Sequence, residues 1–170
     1  MACSAVNRYV VREATADDLA AILTIYNYYI ETSTATFDQE PQSLEQRMHW
    51  FESHGQQYPV LVAELNGEVV GWASISPFSE RPAYRLTVES SVYVHRHHTG
   101  CGVGTLLMCE LIARARQLGY HCMVARVAAD NERSLRLHEK LGFKTIGIMK
   151  EVGYKFNRWI DVAIMMLLLG

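Results

Sequence analysis

Residues 95–105, His-Arg-His-His-Thr-Gly-Cys-Gly-Val-Gly-Thr, place three glycines (Gly100, Gly102 and Gly104) at alternate positions directly before an apolar run. Each glycine inside regular structure costs about 0.5–1 kcal/mol relative to alanine, so three together need a reason. A helix start presents unpaired N–H groups and the positive end of its dipole. Glycines there let a bound anion approach the backbone with no Cβ in the way, which suits a phosphate or pyrophosphate. One glycine would read as a tight strand–helix connection; three favour anion binding. Upstream, Glu89 offers a carboxylate near the start of the preceding strand, either a general base or a solvated or salt-bridged strand-end group. Arg81 and Arg85 bracket the loop before it, as forks for a carboxylate or as solvent-facing cations.

Other readings of these groups fail. No Gly-Lys-Ser/Thr follows, so the turn is not a P-loop. Thr105 stands where a Gly-x-Gly-x-x-Gly fingerprint needs its last glycine, and the strand comes too late in the chain for a first dinucleotide-binding unit. His95, His97 and His98 lack carboxylates or thiolates at ligand spacing, so no metal is expected and a solvated basic loop near a phosphate is the better reading. Cys101 reads as a small filler rather than a reactive thiol. The four cysteines, Cys3, Cys101, Cys109 and Cys122, show no Cys-x-x-Cys spacing, and reduced thiols are expected.

Sixteen basic against eighteen acidic residues supply no general attraction for nucleic acid or an anionic membrane. The N-terminal stretch lacks a basic segment followed by a sustained apolar one, and Ala163 to Leu169 is too short to span a bilayer. The expectation is a single cytoplasmic domain over residues 1–170 with no nucleic-acid or membrane partner.

The elements that must position these groups can be read from periodicity. Arg8 to Glu13 reads as a strand, and Thr15 to Asp18 as a capping box. Leu19, Ile22, Leu23, Tyr26, Tyr29 and Ile30 recur at helical spacing. Ser43 to Phe51 reads as a short second helix. Tyr58–Leu65 and Glu68–Ile75 form a hairpin through Asn66-Gly67, since a type I′ turn needs positive φ at both positions. Leu86 to Val94 is a further strand, and the glycine turn opens a helix to about Leu118 with Leu107, Leu111, Ala115 and Leu118 on one face. His121 to Ala128 is a strand. A helix capped by Asn131 follows, carrying Ser134, Leu137, His138 and Leu141. Strands near Lys144–Glu151 and Arg158–Leu168 close an α/β domain with a mixed sheet.

The stretch ESSVYVHRHHTGCGVGTLLM resembles the acetyl-CoA-binding motif of the GCN5-related N-acetyltransferases: Arg or Gln, two residues, Gly, one residue, Gly or Ala. Here it falls on Thr99 to Gly104, with Thr99 in place of the usual Arg or Gln. YRLTVESSVYV, DNERSLRLHEKLGF and GYKFNRWIDV, in that order, narrow the resemblance to the phosphinothricin and methionine sulfoximine acetyltransferase branch. The resemblance implies that fold: a central, mixed, mostly antiparallel sheet flanked by helices (α+β by layers), with acetyl-CoA in a cleft beside the fourth strand. It implies cofactor contacts from Val92, Tyr93, Val94, Thr99, Gly100, Cys101, Gly102, Val103, Gly104 and Thr105, with Asn131 and Ser134 beside them. At about 3.3 Å per residue, Glu89 to Val94 spans roughly 17 Å, comparable to a pantetheine arm, which puts the thioester near Glu89.

On this resemblance Glu89 becomes the expected general base, and His138 a candidate proton donor set against a packed core histidine. Phe37, Arg81, Arg85, Thr87, Val88 and Glu89 are the expected acceptor-binding residues, and Gly153 to Phe156 lies near both the active site and a homodimer partner. The implied reaction is acetylation of the α-amine of methionine sulfoximine, methionine sulfone or phosphinothricin, detoxifying it. Alternatives are another amine (a polyamine, an aminoglycoside, a protein N-terminus) or a non-catalytic acyl-CoA sensor.

Overall fold

The computed structural model describes residues 8–170; Cys3 lies outside them. Along the chain run β1 (Val10–Glu13), α1 (Leu19–Thr32), α2 (Leu44–Glu52), β2 (Val60–Leu65), β3 (Glu68–Pro77) and β4 (Thr87–Val94). Then follow α3 (Val103–Gln117), β5 (Cys122–Ala128), α4 (Glu132–Lys140), β6 (Lys144–Lys155) and β7 (Arg158–Leu168). The strands form one sheet in the order β1-β2-β3-β4-β5-β7-β6. Only β4 and β5 pair in parallel; every other neighbour is antiparallel.

Alternation along β2 divides the core. Leu61 and Ala63 face the cluster built on α3, with Leu107, Met108 and Leu111. Val60 and Val62 face the other side, where Leu19, Ile22 and Ile25 of α1 pack with Trp72. Successive strand residues point to opposite faces, so a strand covered on both sides reads as a continuous apolar run. The sheet is thus sandwiched between α3 and the α1–α2 layer.

The expected elements form, and Asn66 and Gly67 take the positive φ values, 53° and 85°, of the anticipated hairpin turn. Two local readings change. Leu118 falls past the end of α3 and is exposed, because Gly119 at φ 80° turns the chain away before Leu118 can face the core. Strand β6 runs past Glu151 to Lys155 and joins β7 through Phe156-Asn157, both left-handed at φ 52° and 57°. A phenylalanine in that region is uncommon, so the residue types give no hairpin signal there.

The decisive feature is a fork. Strands β4 and β5 pair only from Thr87↔Cys122 to Glu89↔Val124. Beyond that point β4 stays with β3 as far as Val94, and β5 stays with β7 as far as Ala128. The two parallel strands diverge, and a cleft opens between them.

Candidate active site

The cleft has a volume of about 1080 Å³ and is lined along one wall by Glu89–Val94 and along the other by Ala125–Ala128. That lies at the upper end of the roughly 300–1,000 Å³ of small-molecule sites. One end meets the glycine turn and the N-terminus of α4; the other meets Glu89 and the loop carrying Phe37.

At the turn end the backbone does the work. Gly100 and Gly102 adopt φ 76° and 86°, so each occupies the left-handed region that disfavours a side chain. Gly104 is needed for another reason: a Cβ there would lie 3.2 Å from Leu137 of α4 and 3.6 Å from Val94. Helix α2 is capped by Ser43, which accepts from the Gln46 N–H at 3.2 Å, and α4 by Asn131, which accepts from the Ser134 N–H at 3.2 Å. No side chain caps α3. Its first-turn N–H groups, unlike those of α2 and α4, keep their capacity for an external anion. Arg133, Arg136 and Lys140 of α4 line the same end and add positive charge. Thr99 spends its hydroxyl on the Arg96 carbonyl at 3.1 Å, holding the short turn that precedes the glycines.

The middle of the cleft is strand edge. Val92, Tyr93 and Val94 line it, past the point where β4 loses β5. The Val94 carbonyl accepts the Tyr29 hydroxyl at 2.5 Å, and Tyr29, pushed up by burial, stays protonated and donating.

The other end is built from side chains. Both carboxylate oxygens of Glu89 are held by Arg126 of β5: Nε donates to Oε1 at 2.6 Å and Nη2 to Oε2 at 2.7 Å. Facing them is the segment 33–38, clamped from several sides. Lys155, almost fully buried, donates to the Ser33 and Thr36 carbonyls, each at 2.8 Å, and burial lowers its pKa. Tyr93 donates to the Ala35 carbonyl at 3.2 Å, Thr34 to Asp130 at 2.7 Å, and Tyr26 to Asp38 at 2.8 Å. Under the clamp sits Arg47, 2% exposed, with its guanidinium 4.3 Å from the Tyr26 ring centroid and 4.4 Å from that of Trp50. Phe37 is thereby presented at the cleft against Gly153, where even a Cβ would sit 2.2 Å from its ring.

His138 is a packed ring. It is 3% exposed, edge-on to Phe143, with Nδ1 2.8 Å from the Ser134 carbonyl. A carbonyl only accepts, so Nδ1 carries the proton and Nε2 is the bare nitrogen. Burial lowers the pKa and outweighs the Ser134 hydrogen bond, which raises it, so the ring stays neutral.

The structure therefore brings Phe37, Glu89, Val92, Tyr93, Val94, Thr99, Gly100, Gly102, Gly104, Thr105, Asn131, Ser134 and His138 to one cleft. Val88 and Val103 are core residues, 0% and 1% exposed, because their side chains point to the α3 layer. Cys101 and Thr87 are half-buried outside the lining, and Arg81 and Arg85 are exposed on the loop before β4, also outside it. The arginine that reaches Glu89 is Arg126, which residue types alone did not single out. Among the described residues no cluster suited to a metal occurs, Cys101, Cys109 and Cys122 are free thiols, and no helix is long and apolar enough to cross a membrane.

Comparison with known proteins follows the same lines. The model of the Acetyltransferase (GNAT) family matches residues 22–143. An L-methionine sulfoximine/L-methionine sulfone acetyltransferase of Pseudomonas paraeruginosa is 43% identical over 159 residues, covering 92% of each chain. A phosphinothricin N-acetyltransferase of Streptomyces viridochromogenes is 42% identical over 90% of this chain and 84% of its own. The structure of yncA from Salmonella typhimurium, solved with its cofactor acetyl-CoA, superposes with a TM-score of 0.94 at 41% identity, covering 96% of this chain and 95% of that one.

Proposed function

The chain belongs to the acetyltransferase (GNAT) family and is an acetyl-CoA-dependent N-acetyltransferase, and we propose that its acceptor is the α-amine of a small amino-acid analogue such as methionine sulfoximine, methionine sulfone or phosphinothricin. The observation that carries this reading is the fork between β4 and β5. It joins a backbone anion cradle to a carboxylate, Glu89, at opposite ends of one cleft, with the extended strand from Glu89 to Val94, roughly 17 Å long, between them. The relatives named above act on acceptors of this kind.

The cleft fits the co-substrate. The uncapped start of α3, with Gly100, Gly102, Gly104 and Thr105, would hold the pyrophosphate. The free edge of β4 at Val92–Val94 would pair with the pantetheine amides, and Asn131, whose Oδ1 caps α4, keeps its amide N–H donors for the same arm. Acetyl-CoA supplies the acetyl group as an activated thioester. Glu89 accepts the hydrogen bond and then the proton of the acceptor amine: a carboxylate has about four lone-pair sites, and Arg126 uses two. His138, neutral and protonated on Nδ1, serves the packing of α4 instead.

The pairing of copies is part of the same reading. Ile146, Ile148, Val152, Tyr154, Phe156 and Trp159, each at least half exposed, crowd the edge hairpin β6–β7, and Met149 and Val152 also line the cleft. A contiguous apolar edge of this kind suits a second copy, giving a homodimer. Light scattering at micromolar concentration should give twice the chain mass; a monomer mass would contradict it.

Acetyl-CoA offered to a mixture of methionine sulfone, phosphinothricin and spermidine should yield N-acetylated amino acids by mass spectrometry, and acetylspermidine as the main product would overturn the proposal. Detoxification predicts that expressing the chain raises the methionine sulfoximine concentration a sensitive bacterium tolerates; unchanged tolerance alongside activity in vitro would remove it.

A further inference from the structure

Arg126 is the single exposed side chain of β5, whose other six residues are buried. It stands two residues past Val124, the last β5 residue paired with β4, and so just inside the fork. Its Nε and one Nη2 hydrogen are given to Glu89. The guanidinium makes no other hydrogen bond or ion pair among the described residues. Of its five N–H donors the Nη1 pair and the second Nη2 hydrogen remain, and one Nη1 hydrogen with that Nη2 hydrogen forms a free planar edge. The side chain is 57% exposed against 19% for Glu89, and both line the cleft. An ion pair this open contributes little to folding, so stability does not account for an arginine in this place.

Glu89 and Arg126 together present a negative and a positive group side by side, which is the complement of an ammonium and a carboxylate carried on one carbon. Resting on the acceptor reading above, we infer that Arg126 binds the carboxylate of the acceptor and thereby selects α-amino acids over simple amines. One edge of the guanidinium fixes Glu89, and the free Nη edge takes the substrate carboxylate in bidentate fashion. The carboxylate so held sets its own α-amine against Glu89. An amine without a carboxylate leaves that edge unmatched, and a polycation meets like charge.

The test compares kcat/KM for methionine sulfone and for 3-(methylsulfonyl)propylamine, which has the same side chain and amine but no carboxylate, at saturating acetyl-CoA. Arg126→Met should lower kcat/KM on the amino acid by about 10- to 100-fold, chiefly through KM. The loss on the carboxyl-free amine should be at least tenfold smaller. Arg126→Lys, which keeps the charge and loses the fork, should fall between. Equal losses on both acceptors would show that Arg126 acts only by positioning Glu89, and no loss on either would show that it does neither; each overturns the inference. Acetyl-CoA affinity and melting temperature identify a misfolded variant, and Arg126→Lys then decides. An unsubstituted enzyme that acetylates the simple amine but not methionine sulfone removes the acceptor reading along with the inference. One that acetylates methionine sulfone, with discrimination intact in Arg126→Met, removes the inference alone.

Discussion

The two ends of the cleft are made from different materials. The glycine-turn end is backbone: left-handed glycines, an uncapped helix start and a strand edge released from pairing. The Glu89 end is side chain: a carboxylate in an arginine fork, faced by a loop that Tyr93, Asp130 and the buried Lys155 hold in place. A backbone cradle is generic and suits the part of a co-substrate that never changes. A side-chain pocket is particular, and it is where this chain can express a preference among acceptors. Substitutions at the two ends should therefore separate cleanly, acceptor chemistry at one and co-substrate affinity at the other.

The largest expected effect is at Glu89. Glu89→Gln should lower kcat by about 10²- to 10⁴-fold, the usual contribution of a general base, while acetyl-CoA affinity by calorimetry changes little. Equal loss of both would break the distinction between the ends. At the other end, Gly100→Val forces a branched side chain into φ 76°. It should raise the acetyl-CoA dissociation constant about tenfold, from strain of roughly 1–2 kcal/mol, with kcat at saturation nearly kept. A variant that binds normally would show that the turn's conformation does not matter to the ligand.

Gly153→Ala sharpens the acceptor end further. A Cβ 2.2 Å from the Phe37 ring must move that ring, a flexible side chain on a clamped loop. KM for the acceptor should rise several-fold and that for acetyl-CoA should stay put, as steady-state kinetics in each substrate will show.

The smallest effect is on stability. Burial holds His138 below the ordinary histidine pKa. Above about pH 6.5 both folded and unfolded forms carry a neutral ring, and the pH dependence from this group vanishes. Below it the unfolded chain takes up a proton that the folded ring refuses, so stability falls as pH falls. Melting temperatures between pH 7.5 and 5.5 should drop less in His138→Asn than in the parent. His54, lowered by burial as well, leaves a residual slope in both.

How much of this could be read before the fold was known follows the same division. Glycine spacing, Asn66-Gly67 and helix periodicity are local signals, so the turn, the first hairpin and the order of elements were all legible. The Phe156-Asn157 hairpin was not, because its left-handed residues are not glycines. The acceptor end depends on which strands neighbour each other. Arg126 lies 37 residues from Glu89, and Lys155 lies 119 from Thr36; neither pairing leaves a mark in local composition. Arg81 and Arg85 drew notice by their closeness in sequence to Glu89, whereas the β4–β5 register is what chooses the arginine beside it.

The most direct test of the account is thiol release from acetyl-CoA, followed spectroscopically with methionine sulfoximine, methionine sulfone and phosphinothricin in turn, each against spermidine. The account predicts saturable release with the amino-acid analogues and little with spermidine. Release with spermidine alone would contradict the assignment of the Glu89 end to an α-amine, and silence with all four, acetyl-CoA still binding, would contradict it as well.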